Sequence, residues 1–315
     1  RQFSKKKIKL FNNIFFSNNQ NHLSNSDYFI VTVPTPIKNL KPDLSILNKA
    51  CKLISKYIKK KSIIVFESTV YPGITEDYCA KIISNESGLK YKKDFHLAYS
   101  PERVNPGDNK RTIEKITKVL GASDLQTLKK VKKIYSSFLN NNIFTVSSIK
   151  IAEAAKVIEN AQRDINIAFV NELKEMFDKT DINIFEVLRA ANTKWNFLNF
   201  EPGLVGGHCI GVDPYYLAEF AKKNNVNPKV ILSGRKTNER AIKLFLNSIL
   251  DITNKINKPK VLVLGLTFKE NCPDIRNSKI IELVHSMIIN NINVSVHDPW
   301  VYSDDKKTLP FPILD

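Results

Sequence analysis

The chain has 315 residues, more than one ordinary domain requires, and a hydrophobic content of 43%, which is enough to form buried cores. No apolar run is long enough to span a bilayer, and no apolar stretch with a cleavage site follows the basic first residues, so we expect neither a membrane protein nor a signal peptide. The net charge of +17 comes mostly from lysines scattered over predicted helices and loops, so we expect no nucleic-acid partner.

Strands alternate with helices in the first half of the chain. Apolar, β-rich runs predict strands at 28–33, 62–66, 95–99 and 118–121. Segments with helical spacing predict helices at 44–58, with Asp43 as N-cap, at 75–83 and at 124–139. This alternation is typical of a parallel α/β sheet, whose ligands bind at the carboxyl ends of the strands. Those ends carry Thr35, Thr69, Glu102 and Arg103.

The pattern changes at residue 149. Helices without intervening strands are predicted at 149–179, 184–191, 213–223 and 230–250. A second strand–helix–strand unit follows, at 260–266, 278–289 and 294–297. We therefore predict an α/β protein in which two Rossmann-like parallel-sheet domains, residues 1–148 and 256–315, are joined by an all-helical central domain, residues 149–255.

Both end domains are expected to be truncated. A dinucleotide-binding domain opens with a strand, a GxGxxG turn, a helix and an acidic residue about 20 residues further on. No such glycine cluster precedes Tyr28. The last domain stops soon after its second predicted strand, before such a sheet is complete.

The motif that indicates a chemical function most specifically is the segment PGLVGGHCIGVDPYY at 202–216. Cys209 follows two glycines, which allow a backbone to approach a ligand closely, and His208 beside it can lower the pKa of the thiol. A reactive, exposed thiol is one interpretation, and a small buried cysteine in a tight turn is the other. Asp213 precedes a proline at a predicted helix start, so it can be a helix cap, a functional carboxylate or both.

The long helix predicted at 149–179 carries a second cluster. Lys156, Asn160 and Arg163 are spaced so that they share one face of this helix. A lysine beside an amide makes a pair of donors suited to a developing oxyanion. The alternative is an ordinary solvated stripe of polar and charged residues.

A third cluster is the loop TFKENCPDIR at 267–276, directly after a predicted strand. Lysine and arginine at the end of a parallel strand suit contacts with a phosphate or a nucleotide, and a basic surface loop is the alternative. The four cysteines are far apart and form no CxxC pair, which indicates a reduced, cytoplasmic protein. No spacing of His, Cys and Asp indicates a metal site.

Taken together, these segments resemble the UDP-glucose/GDP-mannose dehydrogenase family, and most of all its branch of UDP-N-acetylhexosamine 6-dehydrogenases, which serve the synthesis of capsule, Vi polysaccharide and O-antigen. The resemblance runs in the family's order from about Tyr28 to Trp300. It rests on the strings VTVPTP, ESTVYPG, YSPERVNPG, EAAKVIENAQRDINIAFVNE, PGLVGGHCIGVDPYYL and GLTFKENCPDIRNSK.

The resemblance implies a fold and a reaction. The fold is an NAD-binding domain, a helical middle that forms a homodimer, and a domain that binds the UDP-sugar. The reaction is the NAD-dependent, two-step oxidation of the C6 alcohol of a UDP-N-acetylhexosamine to the uronic acid, through a thiohemiacetal and a thioester on a cysteine. UDP-glucose or UDP-N-acetylmannosamine as substrate, and a truncated inactive homologue, stay open as alternatives.

The resemblance also implies roles for individual residues. Cys209 stands where the family has its nucleophile, and Lys156 and Asn160 stand where the family stabilises the oxyanion and moves the C6 proton. Glu102 and Asp213 match carboxylates that assist the reaction. Substrate contacts are implied for Arg103, Val104, Lys156, Asn160, Arg163, Gly206, Phe268 and Lys269. Contacts with NAD are implied for Thr35, Thr69 and Arg276.

Two other functions fit parts of the sequence. A cysteine hydrolase or transferase on an α/β fold would need an orienting base beside Cys209 and no cofactor contacts at Thr35 and Thr69. A nucleic-acid-binding protein would bind with a steep dependence on salt and would have no use for the cysteine.

Overall fold

The structure is a computed structural model that describes residues 14–108, 110–139, 142–207, 209–306 and 308–314. Its chain divides into two compact units. The first contains the described residues up to Glu159 together with Tyr215–Val226, and the second contains Asn160–Pro214 and the described residues from Asn227 onward. The division into three domains, residues 1–148, 149–255 and 256–315, remains a prediction from the sequence.

The first unit is built on a sheet. Its strands in chain order are β1 (Tyr28–Val31), the short antiparallel pair β2 (Ile37–Lys38) and β3 (Lys41–Pro42), β4 (Ile63–Phe66), β5 (His96–Tyr99), β6 (Lys118–Ala122) and β7 (Ile143–Thr145). Among the described residues, five of these strands form one sheet in the order β1-β4-β5-β6-β7. The predicted α/β class is therefore confirmed.

The direction of β6 differs from the prediction. Strands β1, β4 and β5 run parallel, as predicted, but β6 pairs with β5 in the antiparallel direction. A parallel pair needs a crossover connection, usually a helix. The described residues between Tyr99 and Lys118 contain no helix, so the chain turns back instead of crossing over.

The helices largely follow the predicted spans. In the described chain the α-helices are α1 (Ser45–Ser55), α2 (Ala80–Ser87), α3 (Leu125–Ser136), α4 (Ile149–Phe177), α5 (Ile184–Ala191), α6 (Asp213–Lys223), α7 (Lys229–Thr253), α8 (Lys279–Ile289) and α9 (Ser303–Lys306), and a 3₁₀-helix, Gln20–Asn25, precedes β1. Two details differ. The helix predicted at 75–83 begins as a π-helix, Ile74–Cys79. Helix α1 begins at Ser45, and Asp43 accepts a hydrogen bond from the Ser45 N–H at 2.9 Å, one residue ahead of the cap position.

The second unit combines helices with a smaller sheet. The strands β8 (Lys260–Leu264), β9 (Asn293–His297) and β10 (Ile313–Leu314) are all parallel and lie in the order β10-β9-β8. The core between this sheet and α8 is formed by Leu266, Leu283, Val284, Met287, Ile292, Val294, Val296, Val301 and Phe311. Burial of these side chains positions the loop between β8 and α8, which carries the TFKENCPDIR motif.

Candidate active site

The loop that carries Cys209 lies in the second unit, between α5 and α6. The side chain of Cys209 is exposed, and its backbone carbonyl accepts hydrogen bonds from the N–H groups of Val212 (3.1 Å) and Asp213 (2.9 Å). These bonds form a tight turn that leads into α6. An exposed thiol in such a turn agrees with a reactive cysteine and not with a buried structural one. His208 lies outside the described residues.

The two glycines before Cys209 let this loop touch the loop between β8 and α8. A Cβ atom on Gly206 would lie 2.7 Å from the backbone oxygen of Asn277, and one on Gly207 would lie 2.7 Å from the ring of Phe268. Gly207 also has a φ of +81° and donates from its N–H to the Asn277 oxygen at 3.1 Å. Side chains at these positions would force the two loops apart. The glycine pair is therefore required by contact between protein loops.

A cleft of about 680 Å³ opens beside these loops. Its lining includes Gly206, Phe268 and Lys269, which are predicted substrate residues, and also Trp300. The volume lies in the range of small-molecule sites. Aromatic rings beside an ammonium group suit a ligand that combines an aromatic base with negative charge. The structure thus brings three of the predicted substrate residues together in one cleft.

Asp298, which was not among the predicted site residues, fixes the first residues of this loop. Its buried carboxylate accepts hydrogen bonds from the N–H groups of Leu266 (2.6 Å), Thr267 (3.0 Å) and Trp300 (2.8 Å). Burial acts to raise the pKa of Asp298, but the three donors outweigh it and hold the pKa below its usual value. An aspartate directly after a predicted strand is the sequence signal that could have revealed it.

Asn160 and Asp213 lie in direct contact within the second unit. The Nδ2 atom of Asn160 donates to Oδ2 of Asp213 at 2.5 Å, and the Asp213 side chain is almost completely buried. Asp213 is also the first residue of α6, at the predicted helix start. An amide group carries two N–H bonds, and this contact uses one of them. Asp213 therefore has a tertiary partner in addition to its place at a helix terminus.

The three residues predicted to share one face of α4 differ in burial. Lys156 is only 7% exposed, Asn160 is half-buried and Arg163 is exposed. Burying an ammonium group is costly. Lys156 is therefore not part of a solvated polar stripe, whereas the exposed Arg163 fits one. Buried lysines are typical of functional sites. The burial of Lys156 therefore separates it from the many surface lysines of the chain.

Glu102, Arg103 and Val104 lie in the loop after β5, in the first unit. The carboxylate of Glu102 accepts a hydrogen bond from the N–H of Val104. The guanidinium of Arg103 forms an ion pair with Glu159 at 2.7 Å and donates to the carbonyl oxygen of Thr117 at 2.6 Å. Protein partners therefore hold Arg103, and a substrate contact would use the N–H bonds that these partners leave.

A charged cluster next to this loop was not predicted. Lys118 forms a largely buried ion pair with Glu67 at 3.1 Å, and Glu67 also accepts a hydrogen bond from the Tyr135 hydroxyl. The Lys118 ammonium lies 5.0 Å from the centre of the Tyr135 ring. Burial and the negative charge of Glu67 raise the pKa of Tyr135, so its hydroxyl stays a donor. Glu67 is the first residue of the motif ESTVYPG, and this acidic residue after a predicted strand is the sequence feature that could have indicated the cluster.

Thr35 and Thr69 lie together after β1 and β4. The Oγ1 atom of Thr35 donates to the carbonyl oxygen of Thr69 at 2.7 Å, and both residues are half-buried. Ligands of parallel sheets bind at this carboxyl edge. The Thr35 hydroxyl, which donates its hydrogen to Thr69, can accept from a ribose hydroxyl or the carboxamide of NAD, and the Thr69 hydroxyl can both donate and accept. The residues present at this edge therefore fit a dinucleotide.

Arg276, the third predicted NAD contact, lies in the second unit. Its side chain is 72% exposed and forms an ion pair with Asp274 at 2.7 Å. The guanidinium carries five N–H bonds, and two of its nitrogen atoms donate to Asp274. N–H bonds thus remain that suit a phosphate group.

Glu153 holds the turn that follows Thr69. It is completely buried on α4, and its carboxylate accepts hydrogen bonds from the N–H groups of Gly73 (2.6 Å) and Thr75 (2.8 Å). Gly73 has a φ of +99°, which favours glycine, and it precedes the π-helix. Burial raises the pKa of Glu153 to about 7, in spite of these donors.

We expect the stability of the protein to depend on Glu153 near neutral pH. A carboxyl group whose pKa rises from 4.5 to about 7 on folding stabilises the folded state fully below the unfolded value, and this contribution is lost as the pH rises through the folded value. The shift corresponds to roughly 3 kcal/mol. Urea titrations of the wild type and Glu153→Gln should show the difference in free energy of unfolding moving in favour of the variant between about pH 5 and about pH 8. Parallel pH curves would contradict a titrating Glu153.

Two negative findings apply to the described residues alone. No three His, Cys, Asp or Glu side chains there are grouped so that they could hold a metal ion. In the same part of the chain, no helix has the length and apolar character needed to cross a membrane.

Comparison with known proteins gives three successive matches to one family. Residues 4–139 match the NAD binding domain of the UDP-glucose/GDP-mannose dehydrogenase family. Residues 150–240 match its central domain, and residues 262–313 match its UDP binding domain.

Individual relatives agree with these matches. Protein CapL from Staphylococcus aureus is 49% identical over 308 residues, which cover 96% of this chain and 72% of that protein. A UDP-N-acetyl-D-glucosamine 6-dehydrogenase from Pseudomonas aeruginosa is 46% identical over 303 residues, which cover 95% of this chain and 72% of that protein. The solved structure of a UDP-D-ManNAc dehydrogenase from Pyrococcus horikoshii superposes with a TM-score of 0.80 at 32% identity, covering 91% of this chain and 68% of that one.

Proposed function

Because the chain belongs to the UDP-glucose/GDP-mannose dehydrogenase family, we propose that it is an NAD-dependent UDP-N-acetyl-D-glucosamine 6-dehydrogenase of capsule or O-antigen synthesis. It would oxidise the C6 alcohol of the sugar to a carboxylate in two steps. The observation that carries the proposal is the exposed thiol of Cys209, in a loop whose glycines pack on Phe268 at the cleft.

The choice of sugar rests on the relatives. A UDP-N-acetyl-D-glucosamine 6-dehydrogenase is 46% identical to this chain, whereas a UDP-D-ManNAc dehydrogenase is 32% identical. UDP-glucose and UDP-N-acetylmannosamine are the alternative substrates. The cleft supports the UDP part, because Phe268 and Trp300 offer rings for a base and Lys269 offers a charge for a diphosphate. We propose further substrate contacts for Arg103, Val104, Lys156, Asn160, Arg163 and Gly206.

Lys156 would begin the reaction as the base. It takes the proton of the C6 hydroxyl, directly or through a water molecule, while C6 loses a hydride and its oxygen becomes a carbonyl. We propose contacts with NAD for Thr35, Thr69 and Arg276, and the bound cofactor would supply the oxidising power by accepting one hydride in each of the two oxidations. The product of the first oxidation is an aldehyde.

Cys209 would capture this aldehyde. Its thiolate attacks C6, a C–S bond forms, and the carbonyl electrons move onto oxygen to give a thiohemiacetal. Loss of the second hydride from C6 then leaves a thioester. Covalent capture prevents release of the aldehyde between the two oxidations.

Hydrolysis would complete the reaction. Water attacks the thioester carbon, the C–S bond breaks, and the Cys209 thiolate leaves as the uronate forms. Glu102 or Asp213 would guide that water. Lys156 and Asn160 would hold the oxyanion of each tetrahedral species, and the Asn160 amide can donate a second N–H beside its bond to Asp213.

We also infer a cytoplasmic homodimer formed through the helical region. Apolar side chains that are exposed along α4, among them Ile158, Phe169 and Met176, support burial against a second copy. The widely separated cysteines support a reducing compartment. We propose that residues 1–148 form the NAD-binding domain, 149–255 the helical central and dimerisation domain with the cysteine loop, and 256–315 the UDP-sugar-binding domain.

A panel of UDP-sugars tests the proposed function. We expect the purified protein to form two NADH per uronic acid with UDP-N-acetyl-D-glucosamine, at a higher kcat/KM than with the galactosamine, mannosamine or glucose analogues. One NADH per aldehyde would contradict the two-step oxidation. No NADH with any sugar would favour an inactive homologue, and a preference for another sugar would correct the substrate.

A further inference from the structure

Asn171 binds the backbone of the loop that carries Cys209. It lies on α4 in the second unit, where it is 2% exposed. Its Nδ2 atom donates to the carbonyl oxygen of Gly203 at 2.9 Å, and its Oδ1 atom accepts from the N–H of Gly203 at 2.8 Å. One side-chain amide thus satisfies both backbone groups of a single loop residue, as a neighbouring strand would.

A buried polar network holds this amide in place. Asn171 also donates to Oδ1 of Asn238 on α7 at 2.9 Å. Asn238 in turn donates to the backbone oxygen and to the carboxylate of Asp164, at 2.9 and 2.7 Å, and Arg235 pairs with that carboxylate at 2.6 Å. Each of these residues is at most 3% exposed. The network therefore restricts the rotamer with which Asn171 meets Gly203.

A second amide on the same helix binds the far end of the loop. Asn160 bonds to Asp213, and it precedes Asn171 by eleven residues. Eleven residues make about three turns of α-helix, so both amides lie on one face, about 16 Å apart along the helix axis. Gly203 and Asp213 bound a segment that includes Cys209. Helix α4 therefore sets the distance between the two ends of this segment.

We propose that Asn171, supported by Asn238, is a positioning residue for the reactive thiol. It fixes the Gly203 end of the segment 203–213, while the bond between Asn160 and Asp213 fixes the other end. This inference rests on the proposed function, because it requires that the Cys209 thiol reacts with the sugar.

The cost of the network supports a positional role. Burying polar and charged side chains is expensive, and apolar side chains would join α4 to α7 without that expense. The network ends on the two backbone groups of Gly203, six residues before Cys209. A misplacement of about 1 Å at a reacting group can lower a rate by about 100-fold, so rigid anchoring of this loop is of catalytic use.

The test compares Asn171→Ala with Asn166→Ala. Asn166 lies on the same helix, and its amide donates to the Gln162 carbonyl one turn earlier, so it is a matched control. In the Asn171 variant we expect faster hydrogen exchange at the Gly203 N–H, because its acceptor is gone. We also expect kcat for UDP-sugar oxidation to fall about 10- to 100-fold, while KM changes less than about threefold. The control should keep wild-type values for both.

Faster exchange together with a lower kcat at nearly constant KM supports the proposal. An unchanged kcat, or a fall in kcat that Asn166→Ala shares, overturns it. If a urea titration shows that Asn171→Ala does not fold, Asn171→Ser gives the same comparison, since serine is too short to reach both backbone groups of Gly203. Hydrogen exchange needs no substrate. A wild type that protects Gly203 but oxidises no UDP-sugar would therefore refute the proposed function and leave the anchoring contact standing.

Discussion

Replacement of Cys209 by serine is expected to stop formation of the uronic acid. Serine keeps the size of this exposed side chain, but its hydroxyl is a far weaker nucleophile than a thiolate. The aldehyde then has no covalent partner, so the second oxidation fails. Loss of a covalent nucleophile lowers kcat by about 10⁴- to 10⁶-fold. Mass spectrometry measures the uronic acid, and semicarbazide in the reaction traps the aldehyde, which should accumulate.

Cys272→Ala is the matched control for this experiment. Cys272 lies in the loop that packs against the Cys209 loop, but its side chain is buried, and burial raises the pKa of its thiol. It should therefore keep wild-type turnover. A Cys209→Ser protein that forms uronic acid at the wild-type rate would refute the covalent route. A loss of activity shared equally by both variants would point to damage of the fold instead.

Replacement of Lys156 by methionine is expected to have the second largest effect. Methionine keeps the length and the apolar stem of a side chain that is only 7% exposed, so the packing of α4 should survive. It removes the proposed base and one donor to the oxyanion. Loss of one such donor lowers kcat by roughly 10²- to 10³-fold, and loss of the base adds to this. Steady-state NADH formation measures the change.

Lys150→Met is the matched control on the same helix. Lys150 is half-exposed and pairs with Asp77 at 3.0 Å, and exposed ion pairs contribute little. Its removal should leave kcat unchanged. If Lys156→Met kept more than about a tenth of wild-type kcat, Lys156 could not be both base and oxyanion donor.

Burial on both faces explains why β4 and β5 were predicted from the sequence. Ile63–Phe66 is fully buried, and His96–Tyr99 nearly so. In the sequence, a strand that is buried on both faces is a continuous apolar run between polar loops. The antiparallel direction of β6 was not predicted, because the sequence of a short strand looks the same whichever way it runs. The direction depends on the connection before β6, and only the folded chain shows that the described residues of this connection form no crossover helix.

The site residues also differ in whether a local sequence pattern reveals them. Cys209 and its glycines form one continuous motif, so they were identified at once. Asp298 and Glu153 were not predicted, because each is a single acidic residue that accepts hydrogen bonds from backbone N–H groups far away in the sequence. The bond from Leu266 to Asp298 spans 32 residues, and the bond from Thr75 to Glu153 spans 78. The place of Asp298 directly after a predicted strand is its local signal, whereas no local pattern marks Glu153 as an acceptor.

The order of amino acids was enough to predict the alternation of strands and helices, the glycine loop around the cysteine and the membership of a family. The folded chain was needed to show that Lys156 is buried while Arg163 is exposed, that Gly206 and Gly207 pack on Asn277 and Phe268, and that Asn171 binds Gly203. The reason is physical. Propensity and periodicity act between neighbours in the chain, whereas desolvation and hydrogen bonding act between groups that become neighbours only when the chain has folded.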